Sequence, residues 1–310
     1  MKQAFKKITT IILFLLLFPY TLTLLTYGIH TSEDEYNNQL LESQYVVVLD
    51  SEIGSIELSL EEYLIGALAS SIEPSYELAA LQAQAIILRT NHIMSASNGM
   101  IQIGSFETSY FDADTRRSIW GENYNAYEEK FYEAVGSTAG MVGMVDGALV
   151  NLPFHAVSAG NTRDANEVFN SNLYSHCKSV ECEYDIMASD YLHGVYVTNQ
   201  ALSEVFGTLY HDASSELVME VMSQDQAGYV LSVQVGDALI AGEEFREIFQ
   251  LASSNFTIQY QSEGVLFSTK GLGHGMGMSQ YTANKMAVEG RDVLEILTYF
   301  YQNLKIELCV

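Results

Sequence analysis

The densest chemical signal in the chain is Lys270-Gly271-Leu272-Gly273-His274-Gly275-Met276-Gly277-Met278-Ser279-Gln280-Tyr281, with glycine at four alternate positions around one histidine. Glycine at such positions permits positive φ and close approach of the backbone to another group. A dinucleotide fingerprint is excluded, because G-x-G-x-x-G from Gly271 needs glycine where Met276 stands. A phosphate-binding P-loop would end in Gly-Lys-Ser/Thr, which is also absent. Two readings stay open: a groove that offers backbone groups to a ligand, or a tight loop packed against a helix starting near Ser279, with His274 hydrogen-bonded inside it. A second group is Cys177 and Cys182 with His176 beside the first and His155 upstream. Four such side chains suit a closed structural zinc site. A Cys177–Cys182 disulfide and free thiols are the alternatives, and Cys309 reads as unpaired.

The elements that must position these residues follow from periodicity and caps. Tyr45 to Leu49 and Ser55 to Leu58 flank a turn-like Asp50-Ser51-Glu52-Ile53-Gly54, a hairpin signal. Ser59 and Glu62 then have capping-box spacing, so a helix begins near Leu60 and turns Leu64, Ile65 and Leu68 inward. It stops before Pro74, since the residue preceding a proline is steered out of the helical region. A second helix from about Ser75 carries Leu78, Leu81, Ala85, Leu88 and His92 at three- and four-residue spacing. Glu73 lies in the break between the two. Glu61 and Glu62 read as first-turn acids that complement the helix dipole.

Further on, a helix is expected over Tyr127 to Ser137, and Asp146-Gly147 joins strands at Met141 to Val145 and Ala148 to Leu152. Tyr196 to Val205, Leu217 to Val221 and Tyr229 to Val235 read as extended, and a short helix is expected over Glu243 to Phe249. Asp292 and Glu295 repeat the capping-box spacing ahead of a last helix. No linker divides residues 45–310, so the expectation is one continuous α+β domain, in one lobe or in two with a central groove.

Composition limits the partners. The 310 residues carry 14 Lys and Arg against 39 Asp and Glu, a net charge of −25. That surface is unsuited to nucleic acid or to anionic headgroups. The positive exception is the N-terminus, where Lys2, Lys6 and Lys7 precede an uncharged run from Ile8 to Tyr27. Twenty such residues rise ~30 Å as a helix, enough to cross a bilayer. Residues 1–28 thus read as a single-pass membrane anchor with a cytoplasmic N-terminus, a signal peptide being the alternative although Leu24-Leu25-Thr26-Tyr27-Gly28 offers no small-x-small cleavage site, and residues 29–44, with Ser32-Glu33-Asp34-Glu35, read as an acidic spacer. The rest then lies outside the cytoplasm, where a disulfide is stable.

Four segments together resemble the stage II sporulation protein D family of peptidoglycan lytic transglycosylases, which includes amidase-enhancer proteins. They are Leu60-Glu61-Glu62-Tyr63-Leu64-Ile65-Gly66 with Leu78-Ala79-Ala80-Leu81-Gln82-Ala83-Gln84-Ala85 and Arg89-Thr90; Phe154 to Thr162; Gly242 to Arg246 with Ser253 to Phe256; and Gly271 to Tyr281 with Ala283-Asn284 and Ala287 to Gly290. The resemblance implies cleavage of glycan strands between N-acetylmuramic acid and N-acetylglucosamine, with the muramic 6-hydroxyl as internal nucleophile and a 1,6-anhydro product. An internal nucleophile removes the need for a second carboxylate. One carboxyl donates to the leaving oxygen and then takes the 6-hydroxyl proton, work that suits a partly desolvated setting. No cofactor is needed for this.

Counted without a gap from Tyr63, the family's acid falls at position 71, where this chain has Ser71; the nearby carboxylate is Glu73, in Ser71-Ile72-Glu73-Pro74. Inside a continuous helix a two-residue displacement swings a side chain ~200° around. At a helix break the backbone has latitude to bring Glu73 into the same space. The resemblance thus implies Glu73 as the catalytic acid, with Gly273, His274, Gly275, Gly277, Ser279 and Gln280 lining a glycan groove opposite it. Ser158, with its neighbours His155, Asn161 and Thr162, supplies another wall. The implied partners are glycan strands stripped of stem peptides, a cell-wall amidase and other membrane proteins of spore engulfment. Ser71 keeps a second outcome open, a module that holds glycan or stimulates an amidase without cutting.

Overall fold

Strands Val46–Ser51 (β1) and Gly54–Ser59 (β2) pair antiparallel, Val46 opposite Ser59, in a computed structural model that describes residues 44–51, 54–103, 110–207 and 218–309. The expected anchor and nearly all of the acidic spacer lie outside the described residues. Among those described, no helix is long and apolar enough to cross a membrane. Ser59 caps Leu60–Ser71 (α1), its Oγ accepting from the Glu62 N–H at 3.2 Å. Leu78–Met94 (α2) follows, and Met100–Ile103 (β3) returns parallel to β1. Ala113–Trp120 (α3) was not legible in the sequence; Asp112 starts it by accepting from the Thr115 N–H at 2.7 Å. Tyr124–Ser137 (α4) then packs Phe131, Ala134 and Val135 against Tyr63, Leu68 and Leu81. Burying aromatic and aliphatic side chains of this size stabilises the fold by about 1.5–3 kcal/mol each.

Glu61 corrects an expectation. It is 2% exposed and takes a bidentate ion pair from Arg89, Nε to Oε1 at 2.7 Å and Nη2 to Oε2 at 2.6 Å. The guanidinium also donates to the carbonyls of Val135 and Met141. A residue that reads as a first-turn acid therefore locks α1, α2 and α4 together.

Met141–Val145 (β4) and Ala148–Leu149 (β5) form the expected hairpin, with positive φ at Asp146 and Gly147. Phe154–His155 (β6) and Ala165–Phe169 (α5) come next. Leu192–Thr198 (β7) ends earlier than the extended reading of 196–205 expected, because the Thr198 Oγ1 accepts from the Ala201 N–H at 3.2 Å and starts Asn199–Phe206 (α6). Met219–Gln224 (β8), Val230–Val235 (β9) and Ala238–Ala241 (β10) form one antiparallel sheet, followed by Gly242–Ile248 (α7). Phe256–Gln261 (β11) and Gly264–Lys270 (β12) join β7 in a second antiparallel sheet. Between the sheets, Phe206, Phe245, Phe256 and Phe267 form an aromatic core.

Met278–Ser279 (β13) then pairs in parallel with β6, Met278 opposite Phe154. Gln280–Val288 (α8), Val293–Phe300 (α9) and Lys305–Leu308 (β14) complete the chain, and β14 joins β4. The Asp292–Glu295 capping box is present in full. The arrangement is α+β: residues 192–270 build a second lobe inserted between the two strands of the β6–β13 pair.

Candidate active site

Helix α1 ends where Pro74 requires. Ile72 is extended (φ −141°, ψ 153°) with its side chain buried, and the Tyr76 N–H donates to the Glu73 carbonyl at 3.1 Å in the turn that leads to α2. Glu73 therefore stands in the break. Gln280, the first residue of α8, reaches across to it: its Nε2 donates to the Ser71 carbonyl at 2.7 Å and to the Gln84 Oε1 at 3.1 Å. The Ser71 hydroxyl donates back to the Leu68 carbonyl at 3.1 Å, inside its own helix.

A groove of about 730 Å³ opens here. Glu73, Tyr76, Asp190, Gln280 and Tyr281 supply its polar wall, and Phe111, Trp120 and Tyr127 an aromatic one. Among the described residues, neither lysine, arginine nor histidine lines it. Glu73 is exposed, so its carboxyl is not enclosed in the way the implied chemistry asks. Burial, then the negative charge of Glu73, push the Tyr76 phenol up to about 12, so Tyr76 keeps its proton at neutral pH.

Of the residues expected to face Glu73 from the glycine segment, Gln280 lines the groove, joined by Leu272 and Tyr281. Gly273, His274, Gly275, Gly277, Ser279 and Ser158 do not line it. Here the packed-loop reading describes the geometry. Gly275 and Gly277 have φ of +78° and +67°; a Cβ at the first would run into the Tyr229 ring and at the second into the Pro153 carbonyl. The His274 Nδ1 accepts from the Met276 N–H at 3.1 Å, and its ring lies 5.8 Å from that of His155. The His155 Nδ1 donates to the Met276 carbonyl at 3.0 Å, and its buried Nε2 has no partner among the described residues. Burial drives both imidazoles down, His155 to about 4 and His274 to about 3, so both are neutral at pH 7.

Ser279 and Ser158 meet instead at Asp185, a fully buried carboxylate. Asp185 accepts from the Ser158 N–H at 2.6 Å, the Ser279 hydroxyl at 2.8 Å and the Thr282 hydroxyl at 2.7 Å. Burial pushes its carboxyl up, and these donors oppose the shift. Among the described residues no cation pairs with it. Arg163 is the other group absent from the sequence reading. It is 1% exposed, pairs with Asp225 and Glu243 at 2.6 Å each, and lies 4.8 Å from the Tyr229 ring centroid. Its backbone N–H donates to the Gly275 carbonyl at 2.8 Å, so the residue that holds the glycine loop by its backbone grips the second lobe by its side chain.

Cys177 and Cys182 are free and buried, as in the free-thiol reading and not joined in a disulfide, and burial pushes both thiols up to about 12. The His176 Nε2 is engaged with the Asn151 carbonyl at 2.7 Å, as the His155 Nδ1 is with Met276. Among the described residues no three His, Cys, Asp or Glu side chains gather as a metal would need.

Known proteins resemble the chain over much of its length. Residues 51–144 match the family model described as SpoIID, Stage II sporulation protein. Stage II sporulation protein D of Bacillus subtilis (strain 168) is 28% identical over 259 residues, 80% of this chain and 74% of that protein. The protein of the same name from Bacillus amyloliquefaciens is 28% identical over 258 residues, with the same coverage of both chains. An uncharacterized protein of Brachyspira hyodysenteriae (strain ATCC 49526 / WA1) is 26% identical over 295 residues, 88% of this chain and 72% of that protein. Over residues 51–144 the chain is thus similar to the SpoIID family model, and over 80% of its length to stage II sporulation protein D of two Bacillus species.

Proposed function

We propose that this protein is a membrane-anchored lytic transglycosylase that remodels peptidoglycan during sporulation. The match to the SpoIID model and to two stage II sporulation proteins D supports the coarser part, a role at the cell wall in sporulation. The observation that carries the finer part is the position of Glu73, a carboxylate in the break between α1 and α2 that lines a groove with Gln280 and Tyr281. Residues 8–27 anchor the chain, and the domain acts on glycan strands outside the cytoplasm, beside an amidase and other engulfment proteins. Glu73 in its acid form protonates the oxygen between muramic acid and N-acetylglucosamine. As carboxylate it then takes the proton of the muramic 6-hydroxyl, which closes the 1,6-anhydro ring. A sugar ring laid over the exposed carboxyl displaces its water and supplies the desolvation that the empty groove lacks. The aromatic wall offers faces on which pyranose rings stack.

The competing reading, a non-cutting glycan holder or amidase enhancer, draws on Ser71. Its hydroxyl is turned into α1 and carries no usable proton for the leaving oxygen. Purified sacculi digested with and without amidase separate the two by mass spectrometry. Anhydro-muropeptides from the wild type, lost at least about 100-fold in Glu73→Gln, support cutting; none under either condition overturns it in favour of the holder.

A further inference from the structure

The groove presents two carboxylates, and single-acid chemistry uses one. Asp190 lines it together with Glu73 and Tyr76 and is exposed. Its backbone is held on several sides. The Tyr191 N–H donates to the Ala188 carbonyl at 3.2 Å, the Gly271 N–H to the Tyr191 carbonyl at 2.7 Å, and the His193 Nε2 to the Asp190 carbonyl at 2.8 Å. The Tyr191 hydroxyl adds a bond to the Ala159 carbonyl at 3.2 Å. A fixed backbone thus offers a carboxylate that pairs with no cation among the described residues. Glu73 and Asp190 thus open onto one groove, and the negative charge of each adds to the upward push on the Tyr76 phenol between the groove's other polar residues. Two carboxylates about one glycosidic bond, open to water, are what attack by water requires; an internal nucleophile needs only one.

We propose that Asp190 serves a hydrolytic branch in this groove, acting as general base on a water that attacks the anomeric carbon of muramic acid while Glu73 protonates the leaving oxygen. The inference rests on the glycan-cutting reading above. The bond from C1 to the glycosidic oxygen breaks, and its electron pair leaves with the oxygen, which receives the Glu73 proton as the 4-hydroxyl of N-acetylglucosamine. A new bond joins C1 to the water oxygen, and Asp190 takes the released proton. The sum is addition of one water, and solvent returns the proton from Asp190 to Glu73. The 6-hydroxyl and the water compete for the same C1, so the products divide between 1,6-anhydro and reducing ends.

Digestion of denuded glycan strands in ¹⁸O-water reads this division directly, because a hydrolytic end carries the label at C1 and an anhydro end does not. The expected result is labelled reducing ends from the full chain, with their ratio to anhydro ends falling by about 100-fold in Asp190→Asn. A matched melting temperature shows that the variant is folded. Anhydro ends alone from the wild type, or an unchanged ratio in Asp190→Asn, overturns the hydrolytic branch and leaves the transglycosylase reading standing. No cleavage by the wild type overturns both.

Discussion

The side chain of Gln280 is bonded to the backbone carbonyl of Ser71 at 2.7 Å, so the residue that follows the glycine loop clamps the end that Pro74 imposes on α1. Ser71 and Gln280 are 209 residues apart, and Glu73 hangs two residues beyond the contact. The place of the proposed acid, set locally by Pro74, is thus buttressed by a residue 209 positions away.

Gln280→Ala removes both donors of that clamp and leaves the Gln84 Oε1 and the Ser71 carbonyl without them. The expected destabilisation is about 1–3 kcal/mol, measured by urea denaturation. Release of anhydro-muropeptides falls by more than the folded fraction does, because Glu73 loses its register. Activity that tracks the folded fraction would show that Glu73 keeps its place unaided.

His155 makes stability depend on pH. Its folded-state value, about 4, lies below the ordinary 6.5 of an unfolded histidine. The unfolded chain therefore binds the proton first as pH falls. The contribution of this neutral, buried ring is complete above 6.5 and is lost as pH drops from there toward 4. The size is about 3 kcal/mol in all. Denaturation midpoints between pH 7 and pH 4 are expected to fall less steeply in His155→Gln than in the wild type; equal slopes would place the titration elsewhere.

The Glu61–Arg89 pair is expected to dominate the stability of the first lobe. Glu61→Gln strands a buried guanidinium and costs about 3–5 kcal/mol, seen as a lower melting temperature. Replacing both partners with apolar residues of similar volume recovers much of that loss. A single substitution that melts like the wild type would mean that water reaches the pair.

How far the sequence discloses the site depends on the range of the forces involved. Pro74 and the Ser59 cap act within a few residues, so the break at Glu73 is legible without any tertiary knowledge. The same holds for the Asp146-Gly147 hairpin and the Asp292 capping box. Asp185 is not legible, since its partners lie 27, 94 and 97 residues away and no local spacing marks it. Arg163, which draws on Asp225 and Glu243 in the other lobe, is hidden for the same reason. The glycine segment reads as unusual in sequence, but only the ring of Tyr229 and the carbonyl of Pro153 show what its missing side chains make room for. Cys177 and Cys182, with four residues between them, disclose little, because that spacing says nothing about which way each thiol points.

The distance between Glu73 and Gln280 along the chain also orders events in time. A polypeptide that emerges N-terminus first exposes its carboxylate early, yet has no Ser71 clamp and no closed β6–β13 pair until residues 278–280 have followed. Any cutting power that depends on them is thus withheld from the nascent chain until that late segment is in place.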